Sequence, residues 1–140
     1  LPVYDQALTA LIEDLYLRGL DKHVLVVVMG EFGRTPRVNA INGKPGRDHW
    51  PWAMSVLVSG GGVRTGQVIG STDSKAERPK ERPLEPLDLL ATIYGFLDID
   101  PETKFRDHFG RPIALLPGGE PIRELTVSSS LLRGTKHENI

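Results

Sequence analysis

Cysteine is missing from this 140-residue chain altogether. That absence removes disulfides, thiolate zinc sites and cysteine nucleophiles in one step. An excess of charge of either sign is missing too. Lys and Arg total 17 against 18 Asp and Glu, a net charge of −1, which argues against general nucleic-acid affinity but leaves room for a local basic pocket. No apolar run approaches the length of a membrane span, and no signal or lipidation motif is legible, so neither a nucleic acid nor a membrane is expected as a partner. What remains, 39% hydrophobic and 25% charged residues, is the balance of an ordinary globular domain. The chain opens on Leu1-Pro2 rather than Met, and is expected to be the C-terminal piece of a longer protein.

Two segments are expected to be helices. Tyr4, Leu8, Leu11, Ile12 and Leu15 recur at helical spacing, which predicts a helix from about Pro2 to Arg18 with Gly19 as a left-handed C-cap. Leu87, Leu90, Ala91, Tyr94 and Leu97 share one face of a second helix over Pro86–Leu97. Val24–Met29 and Ala53–Val58 read as core strands. The first is β-branched and does not alternate, as expected of a strand buried on both faces of a parallel sheet. Val63–Ile69 reads as a short edge strand or hairpin, Ser71–Pro83 as a solvated excursion, and the chain from Asp98 as loop. The expected organisation is a single α/β domain over 1–127, a largely parallel sheet flanked by helices, and a flexible tail over 128–140.

Chemistry concentrates in the long Gly- and Pro-rich connection after the first strand, in Gly30-Glu31-Phe32-Gly33-Arg34-Thr35-Pro36 and Gly46-Arg47-Asp48-His49-Trp50-Pro51. In an open α/β sheet ligands bind past the C-terminal ends of strands. Glu31 reads either as a metal ligand or general base, or as a carboxylate that caps a turn or pairs with Arg34. His49 reads as a metal ligand or as a loop histidine packed beside Trp50 and Trp52. Asp48 would orient His49 from behind or bond loop amides. Arg34 and Arg47 suit bidentate recognition of phosphate or sulfate oxygens, or ion pairing with Glu31 and Asp48. Thr35 contacts an oxyanion or caps the turn before Pro36. Gly60-Gly61-Gly62 reads as a tight turn, since no Gly-Lys-Ser/Thr follows, and His23, His108 and His137 as surface residues.

In these motifs, together with Leu87-Asp88-Leu89-Leu90-Ala91-Thr92-Ile93, Gly110-Arg111-Pro112 and Pro117-Gly118-Gly119-Glu120, the chain resembles the C-terminal part of the bacterial "domain of unknown function 1501" proteins, of the alkaline phosphatase and sulfatase superfamily. The resemblance implies the C-terminal portion of an alkaline-phosphatase-like domain, and a divalent cation (zinc, manganese, calcium or magnesium) held in part by Glu31 and His49. It implies a phosphate- or sulfate-ester substrate, a small molecule or a glycan, gripped by Arg34 or Arg47. It places the nucleophile and further ligands ahead of Leu1, and it implies export. One departure stands out: Phe32 occupies a position where the superfamily's enzymes carry a ligating His. Two functions therefore stay open: a metal-dependent ester hydrolase, incomplete in this chain, or a non-catalytic binding module that keeps the fold without the metal.

Overall fold

A computed structural model of the chain describes residues 2–41 and 43–126. The expected tail over 128–140 lies outside them. Two compact units are present, Leu1–Gly61 with Thr65–Leu84, and Gly62–Arg64 with Glu85–Ile140.

The first unit begins with helix α1, Pro2–Leu17. It ends as the sequence predicts. Gly19 adopts φ +68, its amide reaches Tyr16 O at 3.0 Å, and the Leu20 amide reaches Leu15 O at 2.8 Å, which together form a Schellman motif. The expected apolar face is only partly covered. Leu8, Ile12 and Leu15 are half-buried, Tyr4 and Leu11 are exposed, and no α1 residue is fully buried.

The expected parallel sheet does not form. Strand β1, Leu25–Val28, pairs antiparallel with a strand at Leu57–Gly60, with Leu25 opposite Gly60 and Val28 opposite Leu57. All five strand pairs among the described residues are antiparallel and two-stranded. The physical reason lies in the connection. A parallel neighbour needs a crossover, usually a helix, whereas the described residues between Val28 and Leu57 hold no helix and the chain returns in the opposite direction. An apolar run signals burial but not strand direction, and here all four β1 residues are half-buried rather than enclosed.

The connection is not simple loop. It contains β2 (Gly33–Arg34), β3 (Asn39–Ile41), β4 (Lys44–Gly46) and β5 (His49–Trp50), before the Leu57–Gly60 strand, β6. β3 pairs with β4, and β2 with β5. Each is two or three residues long, too short to show a period of two. Val63–Ile69, expected to be a strand, carries no strand. The polar excursion beyond it does, as β7 (Ser71–Thr72) against β8 (Pro79–Glu81).

In the second unit helix α2 runs Pro86–Phe96, with Pro86 in its first turn as expected. The Asp88 carboxylate reaches back to the Glu85 amide at 2.8 Å and caps the helix start. The end is a second Schellman motif, with Asp98 at φ +55 in place of glycine and the Ile99 amide on Tyr94 O at 2.9 Å. The buried residues Ala91, Thr92, Leu116, Ile122 and Leu125 form the core of this unit. Two polar side chains of α2 hold the 119–125 segment in place. Asp88 accepts the Glu120 amide at 2.9 Å, and the Thr92 hydroxyl accepts the Ile122 amide at 2.9 Å while donating to Asp88 O at 2.7 Å. Helical periodicity marked apolar positions only, so it picked Leu90, which is exposed, and passed over Thr92. The stretch after Asp98, expected as loop, forms a hairpin of β9 (Lys104–Arg106) and β10 (Pro112–Ala114). Asp107 organises its turn by accepting the Phe109 and Arg111 amides at 2.9 and 2.8 Å.

Candidate functional site

The pairing of β2 with β5 brings the two chemistry-bearing segments together. Gly33 faces Trp50 and Arg34 faces His49 across the ladder. Thr35 extends the pairing. Its amide donates to Asp48 O at 2.9 Å, and its hydroxyl accepts the Asp48 amide at 3.1 Å while donating to Arg37 O at 2.9 Å. Thr35 thus works on the backbone of both segments. The Asp48 carboxylate accepts a hydrogen bond from the Asn39 side-chain amide, which ties β5's approach to β3. Asn39 had no distinguishing mark in the sequence, since it sits among the Gly, Pro and Asn residues of an apparent loop.

Arg34 and Arg47 line one shallow groove of about 400 Å³, together with Val38, Pro45 and Gly46. Arg34 Nη1 donates to Arg47 O at 3.4 Å, which sets one guanidinium beside the backbone of the other arginine. Among the described residues neither arginine forms a salt bridge, with Glu31, with Asp48 or with any other carboxylate. Two unneutralised guanidinium forks at the rim of a groove are suited to a phosphate or sulfate group, whose oxygens accept in pairs.

Glu31 follows β1 and is exposed, and His49 is exposed in β5. The Phe32 ring packs against the His49 imidazole, with centroids 5.4 Å apart and a tilt of 39°. A catalytic zinc takes about three protein ligands and keeps one position open. Among the described residues no three His, Asp or Glu side chains come together around one point. Glu31 and His49 would supply two donors at most. The described residues therefore do not fit a complete divalent-cation site.

The excursion at β7 and β8 is tied to β5 and the residue two positions beyond it. Trp50 Nε1 donates to Glu77 O at 2.8 Å, and the Arg78 guanidinium lies 4.0 Å above the Trp52 ring, a cation–π contact that covers one ring face. Asp73 shapes this latch. Its Oδ1 accepts the Glu77 amide at 2.9 Å and the Lys75 amide at 3.0 Å. Those bonds, the Glu77 amide first, outweigh the opposing effect of partial burial and hold the Asp73 carboxyl below the usual carboxylate range. A depressed carboxyl stabilises the turn above its unfolded value, near 3.9, and loses that contribution as pH falls through the folded value. Acidification below about pH 4 is therefore expected to open the latch and shift Trp50 emission to the red. Asp73→Ala should produce the same shift at neutral pH. Fluorescence titration in a Trp52→Phe background measures both, and an Asp73→Ala spectrum unchanged at pH 7 would contradict the role of Asp73.

Comparison with known proteins adds one finding. No curated protein and no solved structure matches this sequence. A family model described as "Protein of unknown function (DUF1501)" matches residues 1–126, nine-tenths of the chain, and the chain therefore belongs to that family.

Proposed function

We propose that this chain supplies the oxyanion-recognition wall of a hydrolase-type site for phosphate or sulfate esters, in keeping with the resemblance to the alkaline phosphatase and sulfatase superfamily. The observation that carries this reading is the pair Arg34 and Arg47, both on one groove and neither taken up by a carboxylate among the described residues. The ladder sets the Arg34 backbone opposite His49, and the Arg34 guanidinium donates to Arg47 O at 3.4 Å. In that role the two forks hold the non-bridging oxygens and stabilise negative charge that develops on them during ester cleavage. Among the described residues no nucleophile and no third donor beside Glu31 and His49 is assigned.

A second reading has an observation of its own. Phe32 packs on His49 at a position where the superfamily resemblance implies a ligating His, which favours a module that binds the anionic ligand without hydrolysing it.

Calorimetry with inorganic sulfate and inorganic phosphate tests the shared part of both readings. Arg34→Gln and Arg47→Gln are each expected to weaken binding about 10-fold or more, the scale of one charged hydrogen bond at about 1.5–3 kcal/mol. Unchanged affinity in both variants, with far-UV circular dichroism preserved, would exclude the groove. Assays with aryl phosphates and aryl sulfates then separate the readings. Turnover that Arg34→Gln abolishes supports the hydrolase, and anion binding without turnover supports the binding module.

A further inference from the structure

Arg47 is bracketed by held residues on both sides. Gly46, before it, lies opposite Asn39 in the β3–β4 ladder. Asp48, after it, accepts a hydrogen bond from the Asn39 side-chain amide. One residue therefore engages both neighbours of Arg47, the first by backbone pairing and the second by its side chain. Asp48 is held again by Thr35, whose amide donates to Asp48 O at 2.9 Å and whose hydroxyl accepts the Asp48 amide at 3.1 Å. Thr35 directly follows Arg34, the other arginine of the groove. The Arg34 guanidinium completes the circuit by donating to Arg47 O at 3.4 Å.

The two arginines are thus tied by two routes, a short one through Thr35 and Asp48 and a longer one through Asn39 on β3. Neither Thr35 nor Asn39 is among the groove's lining residues. A hydroxyl has a single proton to donate, and Thr35 gives its own to Arg37 O at 2.9 Å, so none is left for an oxyanion. What these residues act on is the spacing of the arginines. Two arginines free to drift apart have to be ordered by the ligand, at a cost in affinity that prior fixing removes. Spacing also decides which anion gains from both. Tetrahedral sulfate offers one pair of oxygens to each fork, whereas the single pair on acetate is taken up by one fork. Acetate is therefore insensitive to the separation of the arginines, and sulfate is not.

We infer that Asn39 is a positioning residue of the groove: by holding Gly46 and Asp48 on either side of Arg47, it sets the separation of Arg34 and Arg47 and with it the preference for a tetrahedral oxyanion over a monocarboxylate. Thr35 serves the same separation from the Arg34 side. This rests on the oxyanion-binding reading of the same groove.

Titrations with sodium sulfate and sodium acetate, followed by the arginine Nε–H resonances in NMR, test it. Asn39→Ala is expected to weaken sulfate about threefold or more and to leave acetate unchanged, so that the ratio of the two affinities falls. A residue that only stabilised the fold would change the unfolding midpoint and leave that ratio where it was. The exchange variant Asn39→Asp/Asp48→Asn swaps donor and acceptor and should recover the ratio, whereas Asn39→Asp alone sets two carboxylates against each other and should not. Thr35→Ser keeps the hydroxyl bonds and the parent ratio, and Thr35→Val lowers it; this pair carries the test if Asn39→Ala does not fold. A parent-like ratio in Asn39→Ala and Thr35→Val, with sulfate still weakened by Arg34→Gln and Arg47→Gln, overturns the positioning role while the oxyanion reading stands. A folded exchange variant that recovers nothing overturns the Asn39–Asp48 bond as the cause. Sulfate affinity unchanged in both arginine variants overturns the oxyanion reading and this inference with it.

Discussion

Gly33→Ala is expected to break the β2–β5 pairing and to lower stability by about 3 kcal/mol or more, the upper end of overpacking effects. A Cβ at Gly33 would lie 1.8 Å from Ala53 O, 2.9 Å from Ala53 C and 3.0 Å from Trp50 O. All three are backbone atoms, so no side-chain rotation relieves the clash, and one of the two segments has to move. Gly33 is paired with Trp50, and the next residue, Arg34, is paired with His49. A shift of either segment therefore reaches the groove as well as the fold. Urea denaturation followed by tryptophan emission is the measurement, since both tryptophans, Trp50 and Trp52, lie in the affected segment. Sulfate affinity should fall with stability in this variant. A midpoint within about 0.5 kcal/mol of the parent, the range of neutral surface changes, would show that Gly33 and Ala53 are not in contact.

The sequence made part of this legible. The helices were readable because their signals are local: apolar spacing for both, Gly19 for the end of α1 and Pro86 for the start of α2. The two candidate segments stand out in the sequence because arginines, a histidine and acidic residues cluster beside an apolar run, and the β2–β5 ladder brings them together. Strand direction was not readable. Val24–Met29 looks the same whether its neighbour runs with it or against it, and only the absence of a helix before Leu57 hints at the return path. The ladder that opposes Arg34 and His49 was hidden for another reason. Its strands have two residues each, and its register is fixed by contacts far apart in sequence, Thr35 with Asp48 and Asn39 with Asp48. The latch from Glu77 to Trp50 spans 27 residues and uses a backbone carbonyl, which leaves no trace in side-chain identity. The β9–β10 hairpin had one local cue, Asp107 ahead of Gly110, but its exposed Phe105 and Ile113 broke the expectation of a half-buried strand.

The second large effect arises in the unit built around α2. Gly119→Ala is expected to detach the 119–125 segment from the helix and to cost about 3 kcal/mol or more, since overpacking adds to backbone strain. Gly119 has φ +87, and a Cβ there would lie 2.4 Å from Leu87 O and 2.8 Å from Leu87 Cβ. The adjacent amide of Glu120 donates to Asp88, and that of Ile122 to Thr92, so displacement at 119 removes both bonds and uncovers Ala91, Ile122 and Leu125. Gly118 provides the control. Its φ is also positive, at +119, but the nearest atom to an added Cβ is Leu87 Cδ1 at 3.9 Å. Gly118→Ala should therefore carry only the strain, about 1–3 kcal/mol. Truncating the helix residue does not rescue Gly119→Ala, because the closest atom is the carbonyl oxygen of Leu87 and not its side chain. Thermal unfolding followed at 222 nm should rank the parent above Gly118→Ala, and both above Gly119→Ala and the double variant Gly119→Ala/Leu87→Ala. A double variant restored to the Gly118→Ala level would locate the clash in the Leu87 side chain and refute a backbone contact. Equal losses for Gly118→Ala and Gly119→Ala would leave strain as the sole cause.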